Sequence, residues 1–217
     1  MTDFSTTTLI AMLPQEPRWS TQIQIARQLT HRRDVFNVAP LCEFLLQENR
    51  NRDVQRAVAE CVASRGAQEA IHWLTGKIFD VHVPTRQKEL ALRALADFRL
   101  PKVTIPLLIR VCRASLAPEV RRAAFFRLGH SGRLETVRFL AKLAAGNDHE
   151  LAKEARGALQ TLIELHGGVE ATLDKLLDLA STCVRRGQRA AGARFLGTAI
   201  RIGSGTTGTR LRQRLAA

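Results

Sequence analysis

Apolar residues along this chain return every three or four positions, the mark of one helical face, and strict alternation persists nowhere. Inside that pattern a smaller motif recurs. An alanine, once an isoleucine, is followed four residues later by leucine or cysteine at Ile25/Leu29, Ala57/Cys61, Ala91/Leu95, Ala124/Leu128 and Ala155/Leu159. Successive pairs lie 32, 34, 33 and 31 residues apart. Such a period holds two short helices and two turns, so it predicts an all-α stack of about five helical hairpins, an α-solenoid. Stacked hairpins present an extended surface for holding a partner more readily than a pocket for chemistry.

Punctuation places the elements. Residues 1–19 read as an N-terminal arm or capping helix, broken by Pro14 and Pro17. Ser20 is the expected N-cap of the next helix, which carries Ile23, Ile25, Ala26 and Leu29. Its partner runs from Val38 to Leu46, with Pro40 near the start. Asp53 is expected to cap a helix over 54–64, and Gly66 to end it in the left-handed conformation before a second helix over 67–79. The third hairpin starts at Thr85, and Pro106 is expected in the first turn of its second helix. Residues 117–129 pair with 133–145, and 148–166 with 169–186. A capping helix over 188–202 offers Ala190, Ala193, Leu196, Gly197 and Ile200 as its inward face. The repeats thus fill 20–202, and the composition of 203–217 is that of a flexible basic tail.

Composition narrows the class. Aromatic residues are 5% of 217, with no tyrosine, while alanine and leucine abound, which suits close helix packing. No apolar run nears the roughly 18 residues that span a bilayer, and the opening lacks the basic stretch of a secretory signal. Cys42, Cys61, Cys112 and Cys183 are scattered through helical patterns and read as reduced, buried thiols. These features lead to the expectation of a cytoplasmic protein without a membrane partner.

Charge changes the picture most. The net charge is +13, and +8 of it lies in the last 37 residues, which hold eight arginines and no acid. Only six of the 33 basic residues are lysine. Arginine's planar fork suits bidentate contact with carboxylate or phosphate, so a partner with an acidic surface is expected.

The stretch Glu119-Val120-Arg121-Arg122-Ala123-Ala124 through Leu128-Gly129 resembles the first helix of HEAT repeats, in the short form of the phycobilisome-lyase HEAT-like family. Asp53-Val54-Gln55-Arg56-Ala57 matches its opening, and residues 85–95 and 148–159 match more loosely. The resemblance covers roughly residues 20–180. It implies an α-solenoid of about five HEAT-like hairpins with a C-terminal capping helix, and a binding scaffold rather than a reaction. HEAT-like alkylpurine DNA glycosylases use a cleft rich in tryptophan and tyrosine, with an aspartate. Here Trp19 and Trp73 fall in different repeats, and no Trp-x-x-Asp pair exists. HEAT-like di-iron hydroxylases need repeated His-Glu pairs, and only His149-Glu150 is present.

Other chemical signals dissolve on inspection. Gly203-Ser-Gly-Thr-Thr-Gly208 has the letters of a dinucleotide loop but follows a helix instead of a strand. Gly129-His-Ser-Gly132 reads as an inter-helix turn, with His130 too close in sequence to activate Ser131. The histidines show no metal-ligand spacing. No enzyme, cofactor or metal is therefore expected. The resemblance puts the second helix of each hairpin on the concave face, where Arg110/Arg113 and Arg138/Lys142 each share a helix face. The candidate binding residues are Arg110, Arg113, Arg138, Lys142, Arg185 and Arg186, with Arg210, Arg212 and Arg214 as an auxiliary clamp. The expected role is an adaptor for an acidic protein partner within a larger assembly, and the alternative is nucleic acid held by its phosphates. Phenylalanines are expected in the core, which disfavours aromatic platforms for single strands.

Overall fold

The computed structural model describes residues 4–203 apart from 49, 132, 134, 167, 168 and 188, and over these it is all-helical, with eleven helices and no strand. The chain divides into two compact units, residues 1–107 with 114–123 and residues 108–113 with 124–217.

In the first unit, α1 (Thr6–Met12) is capped by Ser5, whose Oγ accepts the Thr8 amide at 3.1 Å. Leu9 and Leu13 are buried, and Gln22 of α2 (Trp19–His31) ties the arm down. That buried side chain donates Nε2 to the carbonyls of Leu13 at 3.0 Å and Glu16 at 2.8 Å, so both ends of the contact are satisfied. α2 begins before the expected cap: Arg18 holds the N-cap position and Ser20 lies inside the helix. α3 (Ala39–Leu45) carries Pro40 in its first turn, as its fixed φ requires.

α4 (Arg52–Phe79) corrects two expectations. Asn51, not Asp53, is its cap, accepting the amides of Asp53 at 2.9 Å and Val54 at 3.4 Å. The two expected helices follow one another within Arg52–Phe79 and meet, as expected, at Gly66, whose φ −155° and ψ 45° are non-helical but not left-handed. A Cβ at Gly66 would lie 2.7 Å from Val38 Cγ1, so the lack of a side chain serves close approach. α4 packs against α2, α3 and α5 (Thr85–Asp97). Arg52 clamps its start to the end of α5 through two hydrogen bonds to Asp97, at 2.6 and 2.7 Å. Arg99 then turns the chain at φ 54°, and α6 (Pro101–Arg113) follows. Pro101, not Pro106, occupies its first turn, and Pro106 removes one backbone donor from the helix interior.

The second unit is built from the end of α6 (Leu108–Arg113), α7 (Pro118–His130, from Ala124 on), α8 (Glu135–Ala144), α9 (His149–His166), α10 (Val169–Arg185) and α11 (Arg189–Gly203). α8 packs on α9 and α10 on α11, and α8 also touches α10 and α11. Gly129 is buried where α7 meets α9: a Cβ there would be 2.7 Å from the Ala158 carbonyl oxygen. Gly129 thus belongs to a helix crossing and not to a turn. The core gathers Ala141 and Ala145, Leu173, Leu176, Leu179 and Ala180, and Phe195 and Ala199.

α11 keeps part of the expected inward face, with Leu196 packed against the core, and corrects the rest. Phe195, Thr198 and Ala199 are buried with Gly192, while Ala190 and Ala193 are exposed and Ile200 is half open. Both stripes have the same period and lie one residue apart. The large Phe195 ring, with the most apolar area to remove from water, takes the core side.

Of the ten repeat-marking residues, nine are buried and Ala57 is half-buried. The sequence period therefore marks core contacts in both units, each buried leucine contributing about 1.5–3 kcal/mol.

Candidate functional site

α8 is the most sharply two-faced helix of the second unit. Val137, Leu140, Ala141 and Ala144 are buried, and Arg138 and Lys142 stand exposed on the other side. Arg113, the last residue of α6, joins them through an aromatic contact: its guanidinium lies 5.1 Å from the centroid of the Phe139 ring. Such a cation–π contact fixes the orientation of a charge that remains solvent-accessible. Arg110 is exposed one turn earlier and is engaged by a contact of its own. Arg185 and Arg186 are exposed at the end of α10. Arg113, Arg138, Lys142, Arg185 and Arg186 form no ion pair with any described side chain. Arg210, Arg212 and Arg214 lie outside the described residues.

Two further arginines converge on the C-terminal end of α8 and had no signal of their own in the sequence. Arg156 donates Nη1 to the Ala144 carbonyl at 3.2 Å, and Arg194 donates Nη1 to Asn147 Oδ1. A helix end leaves carbonyls without partners, and arginine is a natural donor to them. The Gly146-Asn147 turn after an apolar run was the available clue.

Exposed apolar groups stand among the remaining cations. Val184 is 52% exposed at the end of α10, and Ala190, Ala193 and the half-open Ile200 line the outer side of α11. Arg185, Arg186 and Arg189 accompany them, and no acidic residue occurs between 179 and 203.

A second exposed feature lies on α7. Phe125 is 1% exposed, but its neighbour Phe126 is 49% exposed, against the expectation that the phenylalanines are core residues. The Phe126 and His130 ring centroids are 3.9 Å apart at 34°. His130 Nδ1 lies 2.9 Å from the Phe126 carbonyl oxygen, where it serves as donor. The Arg127 guanidinium sits 5.3 Å from the Phe126 centroid.

No protein-family model matches the chain, and no curated protein matches it. The surface chemistry alone carries the functional reading.

Of the flagged sites, residues 204–208 and Gly132 lie outside the described residues, while Ser131 is described. Ser131 donates its hydroxyl to the Leu128 carbonyl at 2.7 Å, closing the end of α7. Burial pushes the Cys42 thiol up to about 12, with Glu69 and Glu43 adding to the shift, and burial raises Cys61 as well. Neither thiol is poised as a nucleophile, which requires a lowered value. Among the described residues, no three His, Cys, Asp or Glu side chains come together to hold a metal ion. No described helix is long and apolar enough to cross a membrane. The first unit has an open depression of about 450 Å³ where Trp73 lies under the Lys77 ammonium, 5.1 Å away, with Glu43 and Glu48 on its rim. Arg86 approaches Glu48 to 3.8 Å, so part of that charge is already neutralised.

Proposed function

We propose that the protein is a non-enzymatic, cytoplasmic adaptor, a HEAT-like α-solenoid that docks an acidic protein partner through the arginine-rich surface of its second unit. The observation that carries this reading is the mixture of exposed apolar side chains with arginines at the end of α10 and along α11. A surface built only for phosphates needs charge alone, whereas Val184, Ala193 and Ile200 offer apolar contact that a protein partner can match. Arg113, Arg138, Lys142, Arg185 and Arg186 supply steering and bidentate contacts to carboxylates. The HEAT-like part of the reading is supported by the five anchor pairs, nine of whose ten residues are buried, and by their 31–34-residue spacing.

Site-specific photo-crosslinking tests it. A benzophenone side chain is placed at Ala193, and as a control at Val81, which is 83% exposed in the first unit. In the native cell the Ala193 probe should give a discrete protein adduct that survives nuclease treatment and disappears when Arg185 and Arg186 are changed to glutamine. Adducts that are equal at both positions, or that nuclease removes, contradict the adaptor reading.

A further inference from the structure

We propose that the Phe126–His130 stack on α7 is a base-stacking platform for single-stranded nucleic acid, a binding function separate from protein docking. The two rings sit one helical turn apart, and their 3.9 Å separation at 34° stacks the imidazole against the phenyl ring, so the exposed parts of the two form one aromatic surface. The bond from His130 Nδ1 to the Phe126 carbonyl fixes the imidazole in that position. Arg127 lies over the phenyl ring, and Arg133 is exposed just beyond the helix end. Aromatic faces with guanidinium groups beside them are the two parts a single strand requires: a surface for the base and a cation for its phosphate.

Exposure separates this stack from the other cation–aromatic contacts. Phe44 under Arg50 and Phe139 under Arg113 are buried rings, so neither offers a face to a base. Phe36 under Arg65 is half-buried. Trp73 is half-buried in a depression rimmed by Glu43 and Glu48, which would repel phosphate. Phe126 combines an open ring with a basic setting: residues 124–147 carry Arg127, Arg133, Arg138 and Lys142 against the single acid Glu135. Bases in a duplex have their faces covered by their neighbours, so only unpaired bases can use such a step.

The test measures affinity of the full chain for a short labelled oligothymidylate, for a duplex of equal length and for a polyglutamate peptide, near physiological salt. Wild type should bind the single strand more tightly than the duplex. Phe126→Ala should weaken single-strand binding by about 5- to 150-fold, the range for losing one stacked base. Duplex binding, which rests on phosphate contacts, should change by less than about twofold. Phe126→Trp should restore single-strand affinity, and its fluorescence should be quenched by the oligonucleotide beyond any change in wild type. The quenching readout stands even if the alanine variant proves unstable. The proposal is overturned if no oligonucleotide binds, if single-strand affinity is indifferent to Phe126→Ala, if Phe126→Trp is not quenched, or if the variants lose polyglutamate binding instead.

Discussion

The two units use similar numbers of cations in different ways. The first has 16 basic and 12 acidic residues, net +4, and the second 17 and 8, net +9. In the first, three arginines meet carboxylates: Arg52 meets Asp97, Arg86 meets Glu89 at 3.0 Å and Glu48 at 3.8 Å, and Arg99 meets Glu60 at 3.9 Å. In the second, Arg113, Arg138, Lys142, Arg185 and Arg186 find no described carboxylate. A charge compensated inside the molecule contributes to its fold. A charge left to solvent adds self-repulsion and is available to a partner. Arg52, Arg86 and Arg99 on one side and Arg138, Arg185 and Arg186 on the other are the same residue type in different settings, and the difference is set by where the acids lie.

The largest expected effect separates core from surface inside the second unit. Phe125→Ala should cost about 3–5 kcal/mol in a urea titration, as a large ring leaves a cavity, while Phe126→Ala should stay within about 0.5 kcal/mol. Similar losses for both would break the assignment of Phe126 as a binding residue. Next comes the clamp of the first unit. Asp97, with 14% of its side chain exposed, holds Arg52 by two short bonds. Asp97→Ala should therefore cost about 1–3 kcal/mol by leaving a half-buried guanidinium unpaired. A double-mutant cycle with Arg52→Ala should recover most of that loss as coupling.

Gly129→Ala should cost about 1–3 kcal/mol, because the added methyl meets the Ala158 carbonyl and forces α7 and α9 apart. The smallest effect is chemical. Cys183 is half-buried in the second unit and Cys42 is buried in the first. At mildly alkaline pH a maleimide should modify Cys183 first and leave Cys42 protected. Burial holds the Cys42 thiol neutral up to about 12, against 9.0 for an ordinary thiol. An unfolded chain ionises there first, so this thiol's contribution to stability is intact below about 9 and is lost as pH rises toward about 12.

Much of the helical framework was legible in the sequence because burial repeats. Pairs such as Ala91/Leu95 and Ala124/Leu128 are core contacts, and proline and glycine fell near many helix boundaries. What escaped was whatever depended on a neighbour distant in sequence. Gly66 was legible as a break in the helix, but its non-left-handed backbone and its close approach to Val38 were not. Ala193 and Phe195 lie on stripes of equal period, and only the packed helices of the second unit decide between them. Phe125 and Phe126 are chemically identical neighbours, and helix rotation alone sends one inward. The site was legible as charge but not as partnership: Arg138 and Lys142 were placed by spacing, whereas the Arg113–Phe139 contact and the roles of Arg156 and Arg194 at the end of α8 required the fold.

The most direct test of the division between the units is the unfolding free energy of two triple variants in parallel. One is Arg52→Gln, Arg86→Gln and Arg99→Gln in the first unit, the other Arg138→Gln, Lys142→Gln and Arg185→Gln in the second. Removing internally paired arginines should cost about 2 kcal/mol or more in total. Removing the outward cations should leave stability within about 0.5 kcal/mol of wild type or raise it, as expected when like charges without a described carboxylate no longer repel one another. An equal loss in both variants would contradict the account, because the second unit's arginines would then be holding the fold.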